Sequence, residues 1–191
     1  MSWNHHVQSL SRTLSTSVGA LARCRHFLPD RAKLQIYHAL FSSHINYCTL
    51  VWATTTQTNI QTLLLLQKKA LRCIANVSYL HSSAPLFTRY NIISVGKIYD
   101  FRLLYSYLFS DEKFKSLIKF LSHLQKQKSD CRTRGSETWL IPRRRTNYML
   151  QSLTHKLPCL LNKLLSANFD LSACNRKQTR EIFFSSQFLC S

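Results

Sequence analysis

Only three glycines and four prolines interrupt this chain of 191 residues, and that scarcity constrains the fold more than any other feature. Sheet-rich folds turn back on themselves often, and their tight turns draw on glycine and proline for backbone angles that other residues resist. The expectation is therefore an all-α fold. Hydrophobic residues make up 45% of the sequence, enough to bury a core, which argues against disorder along the whole chain. The length fits one domain or two small ones.

Apolar spacing supports helices throughout. Val7, Leu10, Leu14, Val18 and Leu21 recur at three and four, one face of a helix that should end near Phe27, ahead of Pro29. Asp30 is a good N-cap for a second helix with the face Leu34, Tyr37, Phe41, Ile45, Cys48 and Trp52. Its end could become extended in the β-branched and aromatic run Tyr47 to Trp52, and Thr54-Thr55-Thr56 reads as loop. Thr58 and Gln61 fit a capping box for a helix carrying Ile60, Leu63, Leu64, Ala70, Leu71 and Ile74. Pro85 opens a short segment to Arg89. Ser94 should cap a helix with the face Val95, Ile98, Phe101, Tyr105 and Leu108. Ser110-Asp111-Glu112 should start another, which would bury Phe114, Leu117, Ile118, Leu121 and Leu124 and pair with its predecessor as a hairpin. Between Gln125 and Gln151 the periodicity fades over about 27 residues, longer than ordinary loops. Ser152 to Leu165 is helical again, broken or restarted at Pro158, and Asp170 would cap a last segment ending near Phe184. The expected organisation is a thumb-like helical region over 1–125, a basic loop over 126–151 and a C-terminal helical segment over 152–191.

Charge narrows the partner. Lys and Arg number 26 against 8 Asp and Glu, a formal net charge of +18. Such an excess calls for a polyanion, nucleic acid before a membrane surface. Ribosomal and histone-like proteins share the balance, so charge defines a class only. The seven cysteines (24, 48, 73, 131, 159, 174 and 190) are odd in number and scattered. That fits small buried residues in a reducing compartment better than a disulfide framework. Asn4, His5 and His6 interrupt any apolar leader, and the longest apolar run is Leu63 to Leu66, far short of a membrane span. An intracellular location, nuclear or cytoplasmic, is expected, and no membrane partner.

Catalytic patterns are sparse. There is no glycine-rich phosphate loop, paired-cysteine zinc spacing or HExxH helix. His44 and Cys48, four apart, could share a helix face, but two ligands are not a zinc site, and core or boundary packing explains them better. His5 and His6 are adjacent and would not face one metal. Polymerase chemistry needs clustered carboxylates to hold Mg²⁺; here only Asp111 and Glu112 adjoin, at an expected helix start. Tyr47 to Trp52 reads as packed aromatics rather than a cysteine active site. Neither a catalytic residue, nor a metal, nor a cofactor is assigned.

The basic run is the best functional candidate. From Lys126 to Arg145 seven cations (Lys126, Lys128, Arg132, Arg134, Arg143, Arg144, Arg145) face two acids, Asp130 and Glu137. Unless a polyanion is present, so one-sided a run repels itself. Arginine grips phosphate bidentately, and Trp139 and Tyr148 could stack on bases. Lys68, Lys69 and Arg72 form a second cluster, for which a favourable helix-dipole interaction is the simpler explanation. No residue points to base-specific readout.

Several blocks, in order, resemble the region after the palm of a LINE-type reverse transcriptase, most of all the Jockey-like and tick transposon families of arthropods. Ser2-Trp3-Asn4-His5-His6-Val7 looks like that family's LSWNxHI block, and Arg25 to Pro29 like RxxLP. Ile36 to Leu40, Ser43 to Cys48 and Val51-Trp52 are similar to LYxALIxSHLxYCxxVW. Leu66-Gln67-Lys68-Lys69-Ala70-Leu71-Arg72 matches LQKKALR; Pro85-Leu86-Phe87, Thr133-Arg134 and Arg145-Thr146-Asn147-Tyr148 follow. The resemblance spans Ser2 to Leu165. It implies a truncated piece of an RNA-directed DNA polymerase whose palm, with its catalytic aspartates, lies upstream. Such a piece would grip RNA or an RNA/DNA duplex through Lys68, Lys69, Arg72, Arg132, Arg134, Arg143, Arg144 and Arg145, without performing phosphoryl transfer. The family commonly has glycine where Met149 stands, and a positive φ there would strain methionine by ~1 kcal/mol or more. Two alternatives stay open: a decayed reading frame without function, and a freestanding basic helical protein that docks a partner on its apolar faces.

Overall fold

The computed structural model describes residues 3–126, 138–167 and 175–184. They form an all-α fold, with one isolated antiparallel bridge, Lys126 to Trp139, as the extended pairing among the described residues. None of their helices is long and apolar enough to cross a membrane. The chain divides into two compact units, Met1–Tyr99 and Asp100–Ser191.

In the first unit, α1 (Asn4–Arg23) packs along α5 (Gln57–Ala75). Val7, Leu10, Leu14 and Leu21 of α1 and Ile60, Leu63, Ala70, Leu71 and Ile74 of α5 are buried. These are the faces that the three-and-four spacing predicts, with Val18 and Leu64 at the margin. Fully burying each large side chain contributes roughly 1.5–3 kcal/mol. α6 (Ala84–Arg89), with Pro85 in its first turn, packs on α5.

The expected long second helix is divided. α2 (Asp30–Ile36) opens into a π-helical stretch, Tyr37–Ser42, and continues as α3 (Ser43–Asn46). The wider turn stacks Tyr37 on Phe41, with ring centroids 5.0 Å apart, and leaves the Leu40 carbonyl to accept from Ser17 Oγ of α1 at 3.2 Å. Then Tyr47 is extended, Cys48 takes φ 48°, and α4 (Thr49–Trp52) starts afresh. The break lets the indole of the buried Trp52 donate to the Tyr47 carbonyl at 2.8 Å. Cys48, expected on the apolar face, is exposed instead.

Two caps differ from expectation. Asp30 is the first residue of α2, behind Pro29. Its carboxylate engages buried Lys33 at 3.1 Å and the Tyr90 hydroxyl at 2.9 Å rather than capping. Burial pushes the Asp30 carboxyl up, but hydrogen bonds from Lys33 and Tyr90, with the Lys33 and Arg89 charges, outweigh it and hold it below the usual range. α5 starts at Gln57, one residue before Thr58, with Thr56 at the cap position and no side-chain cap bond. One polar residue organises this core. Gln67 Nε2 donates to the Tyr37 hydroxyl and the Ile93 carbonyl, both at 3.0 Å, and its Oε1 accepts the Val95 N–H at 2.8 Å. That pins the start of α7 (Val95–Phe109).

In the second unit, α8 (Glu112–Ser122) packs on α10 (Leu153–Ser166). Of the expected face of α8, Ile118 is buried and Leu124 half-buried, whereas Phe114, Leu117 and Leu121 are exposed, as is Phe120. α10 runs through Pro158 without a break. Buried Leu157, Leu160, Leu161 and Leu164 hold it in place, and Ser152 stands at its cap position. α9 (Asn147–Leu150) places Met149 in helical backbone, so the positive φ that would strain it is absent. α11 (Arg176–Ile182) is capped by a box between Asn175 and Gln178; Asp170 lies outside the described residues.

Candidate nucleic-acid interface

The loop after α8 is fastened to α10 by a side-chain amide. Asn162 of α10 accepts the Trp139 N–H on Oδ1 at 2.7 Å and donates Nδ2 to the Trp139 carbonyl at 2.9 Å, taking the place of a neighbouring strand. On the other side the Leu140 N–H donates to the Gln125 carbonyl at 2.9 Å. Lys126 Nζ lies 5.9 Å from the Trp139 ring centroid, within cation–π range. That half-buried indole therefore already carries a cation.

Arg143, Arg144 and Arg145 follow this anchored segment. Arg144 donates from a terminal guanidinium nitrogen to Thr154 Oγ1 at 3.1 Å, in the first turn of α10. Thr154 Oγ1 is 2.9 Å from Ser152 Oγ, which donates to the Met149 carbonyl at 2.6 Å. Arg143 and Arg145 are exposed and Arg144 half-buried. Together with Ile141, Pro142, Leu150 and His155 they line a groove of about 650 Å³. No carboxylate lines it among the described residues. The Arg144 Nε is buried without a hydrogen-bond partner among the described residues. The positive end of the α10 dipole adds to the three guanidinium charges, so an anion is favoured here.

Three further candidates belong to α5, in the first unit. Lys69 of α5 is exposed, Lys68 and Arg72 half-buried. Arg72 donates Nε to the His81 carbonyl at 2.9 Å and lies 5.7 Å from the Tyr79 ring centroid. Arg132 and Arg134 lie outside the described residues, as does the side chain of Tyr148. Asn162, Thr154 and His155 were not singled out from the sequence: each is an ordinary polar residue on an apolar helix, and nothing local ties it to an arginine run upstream.

Metal and nucleophile chemistry find no support in the described residues. His44 and Cys48 belong to no common helix and both are exposed. No three of His, Cys, Asp and Glu come together there. Cys159 Sγ lies 3.8 Å from His155 Nδ1. Burial pushes that thiol up despite Lys156 and Lys163, so it stays protonated, the unreactive form. The arrangement can hold polyanions by charge and directed hydrogen bonds. No family model, no curated protein and no solved structure matches this chain.

Proposed function

We propose that this chain binds RNA or an RNA/DNA duplex through backbone phosphates, as the thumb and post-polymerase region of a non-LTR retrotransposon reverse transcriptase. The palm that transfers phosphoryl groups would be supplied outside these residues. The observation that carries the reading is the Arg143–Arg145 groove: three guanidiniums in a row, Arg144 fastened to the start of α10, with no carboxylate lining it among the described residues. Phosphate contacts of this kind position a duplex without reading its sequence. The first unit is equally one-sided. Ten Lys and Arg face a single carboxylate, Asp30, and Asp30 is already engaged by Lys33, Arg89 and Tyr90. Fluorescence anisotropy with a labelled RNA hairpin and an RNA/DNA duplex tests the proposal. Submicromolar binding at low salt, weakened about tenfold or more by R143A/R144A/R145A, is expected; absence of binding at low salt would sink it.

A second reading takes the exposed stripe Phe114, Leu117, Phe120 and Leu121 on α8 as a docking face for a protein partner. A patch of this kind on an otherwise charged helix is unusual for a monomer. L117S/F120S would then abolish association while leaving RNA affinity unchanged.

A further inference from the structure

We infer that the first unit carries a separate site for single-stranded nucleic acid, a base-stacking tip made by Phe27 and Tyr79; the inference rests on the chain being a nucleic-acid binder and adds a contact of a different kind. Phe27 is 86% exposed, Tyr79 73% and Leu80 86%. Water-facing aromatics held in place invite a flat apolar partner, and every nucleobase has such a face. Both loops are held firmly. Phe27 sits in a turn where its own N–H and that of Leu28 donate to the Cys24 carbonyl, each at 3.2 Å. Tyr79 and Leu80 are the two central residues of a turn closed by the His81 N–H on the Ser78 carbonyl at 3.1 Å. Arg25 ties the loops together: its Nε donates to Asn76 Oδ1 at 2.7 Å and its terminal nitrogen to the Val77 carbonyl at 2.6 Å. Arg72 anchors the second turn through the His81 carbonyl and holds its guanidinium over the Tyr79 ring.

Charge selects the occupant. Arg23 and Arg31 flank Phe27 in sequence, both exposed, and Lys68 stands one helical turn before Arg72. A purely apolar protein surface would leave these cations unmatched. A single strand supplies phosphates for them and unpaired bases for the rings; a duplex keeps its base faces stacked on one another and offers only phosphate.

The test uses the full chain with a short single-stranded RNA, the same sequence as DNA, and the paired duplex, each with one 2-aminopurine. F27A/Y79A should weaken single-strand binding about tenfold or more and abolish the fluorescence change on binding, with duplex affinity unchanged. F27W/Y79W should restore both. Preference between the RNA and DNA strands identifies which of the two the tip takes. Circular dichroism checks folding, which substitution at exposed positions should leave intact. Equal single-strand affinity of F27A/Y79A and wild type would overturn the tip while leaving the Arg143–Arg145 groove standing. If the wild type binds none of the three probes, both fail.

Discussion

Replacing Gln67 by Leu would remove the polar centre of the first unit while nearly preserving its volume. Three groups lose their partner: the Val95 N–H, the Ile93 carbonyl and the Tyr37 hydroxyl. Each buried group left unsatisfied costs roughly 1–3 kcal/mol, offset in part by the gain from burying an apolar side chain. A net loss of ~2–4 kcal/mol follows, which at a slope of ~1–2 kcal/mol per molar moves a urea midpoint down by about 1 M or more. Glu at the same position separates hydrogen bonding from packing. Its ionised form puts an acceptor against the Ile93 carbonyl, so it should be at least as damaging as Leu at neutral pH. Acid should rescue it, because the protonated carboxyl can donate to that carbonyl. Urea unfolding followed by circular dichroism gives the stability, and hydrogen exchange at the Val95 amide gives the local effect. A Leu variant within ~0.5 kcal/mol of wild type, with Val95 equally protected, would refute the assignment of Gln67 as the pin of α7.

Two further outcomes follow from the same unit. Cys48 occupies left-handed backbone at φ 48°, so C48G should not destabilise and is expected to gain ~0.5 kcal/mol, whereas C48V should lose ~1 kcal/mol or more; thermal midpoints check both. Burial pushes the Tyr37 hydroxyl up to about 12 against the Gln67 hydrogen bond, and burial with the Asp30 hydrogen bond and charge pushes Tyr90 up to about 12. The unfolded chain gives up these protons near the ordinary tyrosine value and the folded one later. Stability from both is therefore complete below about pH 10 and lost as pH rises toward 12. Urea midpoints at pH 9 and 11 should fall less for Y37F/Y90F than for wild type.

The helices legible in the sequence are those where apolar spacing and burial coincide. Val7 to Leu21 and Ile60 to Ile74 face each other, and their period alone located the core. Elsewhere the period reported an apolar face without reporting what covers it. Phe114, Leu117 and Leu121 keep helical spacing yet meet water, because α10 covers only the Ile118 side of α8. The β-branched and aromatic run from Tyr47 signalled that the helix could open there, and Tyr47 is extended; the left-handed turn at Cys48 lacked a local signal, since such backbone usually announces itself with Gly or Asn. It exists because the Trp52 indole, five residues on, needs the Tyr47 carbonyl. The capping-box spacing pointed to Thr58 and Gln61, but the helix began earlier, with Thr56 at the cap position. Of the candidate interface, the cations were legible as charge. Their posture was not: Asn162 and Thr154, which fix Trp139 and Arg144, lie well downstream in sequence.

On the proposed reading, Arg143, Arg144 and Arg145 meet nucleic-acid phosphates. The most direct test is the salt dependence of duplex affinity, plotted as log K against log salt concentration for wild type and R143A/R144A/R145A. Each phosphate contact on a duplex contributes ~0.9 to the slope, so three lost contacts should make it shallower by about 2–3, with lower affinity at every salt concentration. Equal slopes and equal affinities for the two proteins would show that these arginines do not meet phosphates.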